Sequence, residues 1–191
     1  MYSREELVEM LARSENRLSF SKEDFSGCDL SHLDFSLCDF KECNFSDVNF
    51  SYSSLKAACL TACRLDNAGF AFANLDSTNL NFATANGANF NKANLNSASM
   101  VRVLMNRANF KEAILTNTKM VSSVFNGSDF SHADMSRSRI MGSSFSSAKL
   151  DYVLLNDTLI HESITALASK KGTTFENTLE GFDIQDEYYR P

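Results

Sequence analysis

A five-residue periodicity runs through most of this 191-residue sequence. Starting at Phe20, every fifth residue is apolar for 29 consecutive positions, ending at Ile160. Two residues before each of them stands Ala, Cys, Ser, Thr or Val, with Leu18, Glu23 and Leu33 as the exceptions. An α-helix repeats every 3.6 residues and a strand every two. Neither regular element alone explains a period of five.

A chain that turns after every five residues explains the pattern. In a short extended segment, residues two apart share one face, so the small and the large residue both point inward. The remaining residues form the corner, where Asn, Asp, Ser and Gly are favoured. Four such sides close a coil of about twenty residues, and coils stack at about 4.8 Å. The sequence therefore predicts an all-β solenoid of about seven coils. One predicted column of stacked inward residues contains Leu30, Phe50, Phe70, Phe90, Phe110, Phe130 and Leu150.

The repeats also carry a family motif. Ala73-Asn74-Leu75, Ala93-Asn94-Leu95, Ala108-Asn109-Phe110 and Ala133-Asp134-Met135 match the consensus A-(D/N)-L-x-x. The sequence thus resembles the pentapeptide-repeat family over residues 18–160. This resemblance implies a right-handed quadrilateral β-helix.

Both ends of an open solenoid need covering. We expect a helical cap within residues 1–17, the β-helix over 18–160, and a cap and tail over 161–191. Ser3 and Glu6 have capping-box spacing, which predicts a helix over residues 3–13. Ile164, Leu167 and Ala168 share a helical face and predict a second short helix. The tail, residues 173–191, could lie over the last coil or reach a second subunit, and the family resemblance implies a possible homodimer through this segment.

Composition restricts the compartment and the chemistry. The sequence lacks an apolar run of membrane-spanning length and begins with nothing like a signal peptide. Its five cysteines are odd in number, which favours reduced thiols and the cytoplasm. His32 and His132 should lie about 24 Å apart, too far for a shared metal site. No catalytic constellation, metal or cofactor is expected, so we predict a protein that is not an enzyme and binds neither nucleic acid nor membrane.

Outward positions contain the candidate contact surfaces. Val101, Val121 and Met141 should stack in one outward column, with Leu104 and Val124 in a neighbouring column. Such an apolar patch predicts a partner or dimer interface, unless the tail covers it or the repeats tolerate outward aliphatic residues. A second outward pair is aromatic, and a ring of carboxylates surrounds an early coil. The pair is Tyr52 and Phe72, and the ring is Asp24, Asp29, Asp34 and Asp39.

Two functions fit these surfaces best. The first is a rigid scaffold that docks another protein. The second follows from a similarity in style to the quinolone-resistance (Qnr) and MfpA-type family members, which resemble B-DNA and bind DNA gyrase or topoisomerase IV. Against it, residues 50–125 hold 7 bases and only 3 acids, and no loop interrupts the repeat. A secreted effector or a purely structural element is a weaker alternative.

Overall fold

The computed structural model describes residues 3–13, 18–163, 165, 168–174 and 176–181. Helix α1 (Arg4–Arg13) comes first. Five short strands follow, all on one side of the molecule. They are β1 (Ser99–Val101), β2 (Lys119–Val121), β3 (Arg139–Met141), β4 (Leu159–His161) and β5 (Leu179–Gly181).

The chain winds as a four-sided coil. The strands form one parallel sheet in the order β1-β2-β3-β4-β5, and each residue pairs with the residue twenty positions later. Single parallel bridges link the other three sides with the same offset, as between Asn89 and Asn109. We name the sides by their inward residue: face A is centred on Met100, face B on Met105, face C on Phe110 and face D on Leu115, each together with the residues twenty positions away.

The interior is filled by the two predicted inward positions. Phe70, Phe90 and Phe110 are fully buried, and so are the small Ala68 and Ala88. The predicted aromatic column is confirmed, because the rings of Phe50, Phe70, Phe90, Phe110 and Phe130 stack with centroid distances of 4.6–5.3 Å. These distances match the separation of neighbouring strands. The separation between successive coils therefore equals the distance at which the aromatic rings stack.

Each corner places its second residue in the left-handed region. Phe72, for example, has φ 59°, and the turn is closed by an Ala73 N–H bond to the Phe70 carbonyl of 3.0 Å. A non-glycine residue in this conformation costs about 1–2 kcal/mol. The same residue donates its N–H to the next coil, at 3.0 Å from the Asn91 oxygen, which offsets that cost.

Asp and Asn before the inward apolar residue support the same corner. The Asn89 side-chain oxygen accepts the Asn91 N–H at 3.1 Å, and that of Asp134 accepts the Ser136 N–H at 3.0 Å. Their preference in the repeat thus has a structural cause, since the side chain satisfies a backbone donor two residues on.

The predicted N-terminal helix is present. The Ser3 N–H donates to Glu6 Oε2 at 2.7 Å, and the Glu6 N–H donates to Ser3 Oγ at 3.1 Å, which forms the expected capping box. Leu7 is fully buried with the core of the coil. The Arg4 guanidinium donates to the carbonyl of Asp29 at 2.6 Å. Helix α1 therefore packs directly on the beginning of the β-helix.

The predicted C-terminal helix is wrong for the residues that the structure describes; Ile164 and Leu167 lie outside them. Ala168 closes a repeat corner by donating to the Thr165 carbonyl at 3.0 Å, and Ser169 pairs with Lys149. The twenty-residue pairing thus continues past residue 160 to Gly181. The cause is the small inward position, which persists as Ser163, Ala168, Thr173 and Thr178 although the apolar positions become Thr165 and Lys170.

Candidate functional site

The predicted apolar patch consists of Val101, Leu104, Val121, Val124 and Met141. The first column is in register, with Val101 paired to Val121 and Val121 to Met141 in β1, β2 and β3. Leu104 bridges Val124 on the adjoining side. Leu104 is 44% exposed and the other four are half-buried. The five residues thus surround the corner between faces A and B.

Phe82 extends this patch and was not among the sequence candidates. Its side chain is 52% exposed, and its N–H donates to the Val101 carbonyl at 2.9 Å. The guanidinium carbon of Arg102 lies 5.9 Å from its ring centroid. A signal was available: Phe82 occupies a left-handed corner position, where a large aromatic residue is unfavourable without another reason.

Charge around the patch is one-sided. The parts of faces A and B that surround it are residues 78–87, 98–107, 118–127 and 138–147, and they contain no Asp or Glu. They contain four bases, Arg102, Arg107, Lys119 and Arg139, all exposed. No carboxylate of the described residues forms a salt bridge with these four. These four bases form a basic rim around the apolar patch, and the nearest carboxylate beyond Met141 on these faces is that of Glu162 in the next coil.

Faces C and D of the same coils behave differently. There Lys92 pairs with Glu112 at 3.4 Å, and Lys111 and Lys149 both pair with Asp129, at 3.3 and 3.5 Å. Opposite charges neutralise each other on that side.

A groove lies beside the basic rim, at the corner between faces B and C. Its volume is about 600 Å³, and its lining includes Asn86, Asn106 and Arg107. Arg107 stands between Gly87 and Gly127, and a Cβ added at Gly127 would lie 3.6 Å from its Cγ. The Arg107 side chain therefore passes close to Gly127, whereas the Asn67 side chain lies over Gly87, where an added Cβ would come within 2.7 Å of Asn67 Oδ1.

The predicted aromatic pair forms part of a longer column on face C. The Tyr52 and Phe72 rings stack at 4.9 Å with 2° between their planes. His32 stacks on Tyr52 at 5.0 Å, and Lys92 Nζ lies 5.7 Å from the Phe72 centroid. Tyr52 is 55% exposed and Phe72 46% exposed. This column lies on the face opposite face A, so it is a second surface, separate from the apolar patch.

The four carboxylates of the predicted acidic ring close corners. Asp24, Asp29, Asp34 and Asp39 each accept the backbone N–H two residues on, at 2.9–3.2 Å. The N–H of Ser26 lowers the pKa of Asp24, and hydrogen bonds from Ser31 lower the pKa of Asp29. Both groups are therefore ionised at neutral pH. One carboxylate lies on each face, so the ring runs around the coil.

The cysteines occupy structural positions. Cys63 Sγ donates to the Phe40 carbonyl at 2.8 Å, and burial raises the pKa of the Cys63 and Cys43 thiols. None of the five cysteines forms a disulfide. Within the described part of the chain, no cluster of His, Cys, Asp or Glu has the geometry to hold a metal ion. Within that part there is also no helix long and apolar enough to cross a bilayer.

Comparison with known proteins finds a matching family model and similar solved structures. The sequence model described as pentapeptide repeats matches in eight copies, over residues 24–67, 63–100, 73–112 and 104–140. The solved structure of full-length QnrB1, a plasmid-mediated fluoroquinolone resistance protein, is similar with a TM-score of 0.67 and 22% identity, over 84% of this chain and 92% of that one. HetL, a pentapeptide-repeat protein involved in heterocyst differentiation regulation from Nostoc sp. strain PCC 7120, has a TM-score of 0.40 and 18% identity, over 93% of this chain and 94% of that one.

The comparison with curated proteins finds no match. At 22% identity, the likeness to QnrB1 shows a shared fold. The family match covers more than half of the chain and coincides with the observed corners. The chain therefore belongs to the pentapeptide-repeat family, whose members fold as right-handed quadrilateral β-helices.

Proposed function

We propose that the protein is a non-catalytic scaffold that binds another protein through the apolar patch and its basic rim. One observation carries the proposal: within the coils that carry the patch, faces A and B combine partly exposed aliphatic residues with four cations and no carboxylate. Aliphatic residues in a protein interface supply contact energy, and rim charges select the partner. The partner we infer therefore presents apolar side chains flanked by acidic groups. The cytoplasm is the compartment we propose, because five cysteines without a disulfide suit a reducing environment.

The chain suggests replacements that preserve the coil. Ser144 follows Val124 in its column, and Asn81 precedes Val101 in its own, so both residue types are native to these positions. We expect Leu104→Ser combined with Val121→Asn to weaken partner binding at least about tenfold, since a buried interface anchor contributes more than 1 kcal/mol. The measurement is retention of proteins from a lysate on the immobilised chain, followed by titration of the purified partner.

A matched control lies on face D. Ile114 and Leu154 are 46% and 40% exposed and occupy the position equivalent to Leu104 in the repeat. Ile114→Ser combined with Leu154→Ser should leave binding unchanged. Equal losses in both variants, or no loss in the patch variant, would remove the apolar patch from consideration. Attention would then turn to Tyr52 and Phe72, the second exposed surface.

We propose as a second candidate that the protein binds DNA gyrase or topoisomerase IV as a DNA mimic and confers fluoroquinolone protection. The supporting observations are the fold shared with QnrB1 and the four exposed or half-exposed carboxylates of the acidic ring. The basic rim opposes this role, because a DNA mimic must offer negative charge to its partner's cations.

A supercoiling assay with and without a fluoroquinolone tests the second candidate. If it holds, the purified protein inhibits gyrase or protects it from the drug at low micromolar concentration. Replacing Asp24, Asp29, Asp34 and Asp39 by Asn should abolish the effect while the corners persist, because Asn44 and Asn49 accept the same backbone bond in the next coil. Asp129→Asn with Asp134→Asn is the control. An inactive wild-type protein would reject the candidate.

A further inference from the structure

The apolar patch and its basic rim require an acidic, apolar occupant. Arg139 Nη2 lies 3.7 Å from Met141 Sδ, and Arg102 lies over Phe82, so the cations are held against the apolar residues themselves. Lys119 is exposed on the same face. A segment that lays apolar side chains on this surface would bring its flanking carboxylates to these three cations.

The sequence of this chain contains such a segment. Residues 182–189, which lie outside the described residues, read Phe-Asp-Ile-Gln-Asp-Glu-Tyr-Tyr. Three of the eight are acidic and four are aromatic or aliphatic. Phe182 and Ile184 are two residues apart, so in an extended chain both would face the same surface.

The last described residue, Gly181, lies on face A, which also carries part of the apolar patch. Strand β5 ends at Gly181 in the sheet of face A, in the same column as Met141, Val121 and Val101. Coils are about 4.8 Å apart, so Val101 lies about 19 Å from Gly181 along the axis. Eight extended residues span about 26 Å. The segment is therefore long enough to run along the face A column of the patch, which contains Met141, Val121 and Val101.

We propose that residues 182–189 dock along the face A column of the apolar patch of their own chain, with Ile184 at Met141, about 10 Å from Gly181. The carboxylates of Asp183, Asp186 and Glu187 then point toward Arg139, Lys119 and Arg102, in that order along the column. This inference uses the surface of the proposed function and adds its regulation, because a partner must then displace the chain's own segment.

Photocrosslinking in the full chain tests the docking. The photoreactive residue p-benzoylphenylalanine replaces Ile184, and the crosslinked residue is identified by mass spectrometry. We expect crosslinks within one chain to the region of Met141. Mixing isotope-labelled and unlabelled protein separates crosslinks within one chain from those between two copies.

The matched variants change charge equally on opposite faces. Arg102→Gln with Arg139→Gln should lower the crosslinking yield about threefold or more, because the carboxylates of the docked segment lose two of their cationic partners. Lys92→Gln with Lys149→Gln, on face C, should leave the yield unchanged. Circular dichroism of every variant verifies that the coil is retained.

Three results would overturn the proposal. They are equal yields in the two variants, crosslinks to the end of the coil at Leu150, Leu155 or Ile160, and crosslinks only between labelled and unlabelled copies. The crosslinking experiment needs no partner protein. Its result is therefore independent of partner binding: the segment can be absent from the patch although a partner binds there, and the segment can dock although no partner binds.

Discussion

Replacing Phe70 by Ala is expected to lower the free energy of unfolding by about 3–5 kcal/mol, the usual range for removing a buried aromatic ring. Phe70 is fully buried, and its ring stacks on Phe50 at 5.3 Å and on Phe90 at 4.8 Å. Stacked coils fix the spacing of the column, so neighbouring rings cannot collapse into the space. Urea unfolding followed by circular dichroism measures the change.

Phe72→Ala provides the control for this experiment, because it removes the same side chain two residues away. Phe72 is 46% exposed and contacts Tyr52 and Lys92 at the surface. We expect a loss of less than about 1 kcal/mol, typical of a surface substitution. If both variants lose the same stability, the aromatic column is not the source of the stability of the β-helix.

Replacing Ser143 by Ala is expected to cost about 2–4 kcal/mol, because it leaves a buried donor and a buried acceptor without their partner. The Ser143 hydroxyl accepts the Ser123 N–H at 3.0 Å and donates to the Met120 carbonyl at 2.9 Å. It therefore bridges two backbone groups of the preceding coil. At ordinary corners the equivalent groups bond directly, as the Ala98 N–H does to the Leu95 carbonyl at 3.0 Å.

Ser138→Ala is the matched control for the hydroxyl bridge. Ser138 is equally buried, but its hydroxyl donates only to the Met135 carbonyl. That carbonyl also accepts the Ser138 N–H at 3.3 Å and the Thr158 hydroxyl, Oγ1, at 3.0 Å. Its loss leaves no backbone group unsatisfied, so we expect about 0.5–1 kcal/mol. Thermal unfolding of both variants compares them, and a smaller loss for Ser143→Ala than for Ser138→Ala would contradict the bridge.

The inward residues could be predicted from the sequence because the interior has one geometry. Each side has room for one large and one small side chain, so the same restriction on side-chain size recurs every five residues. Because one coil contains twenty residues, residues twenty positions apart stack in one column. The stacking of Phe90 on Phe110, and of Val101 on Val121 and Met141, followed from that register alone. The capping box at Ser3 and Glu6 was equally local, since both bonds join residues three apart.

The residue at which the repeat ends could not be predicted from the large apolar position of each repeat. Thr165 and Lys170 interrupt the apolar series, and the helical spacing of Ile164, Leu167 and Ala168 predicted a helix beyond residue 160. Hydroxyls at the small position continue the coil instead, because Ser163 Oγ donates to the Ile140 carbonyl at 3.3 Å and Thr178 Oγ1 to the Leu155 carbonyl at 2.6 Å. Both carbonyls belong to the preceding coil, so each contact joins residues 23 apart in the sequence.

The sequence alone determined the period, the family and the identity of the core, since these depend on side-chain size at regularly spaced positions. Only the tertiary structure decided how the surface is organised. Phe82, Arg102 and Arg139 are separated by up to 57 positions in the chain, yet winding brings them to the same corner region as Met141. Charge counted along the chain showed a weakly basic middle. Counted by face, three of those seven bases, Arg102, Arg107 and Lys119, join Arg139 around the apolar patch, because residues twenty positions apart stack on the same face.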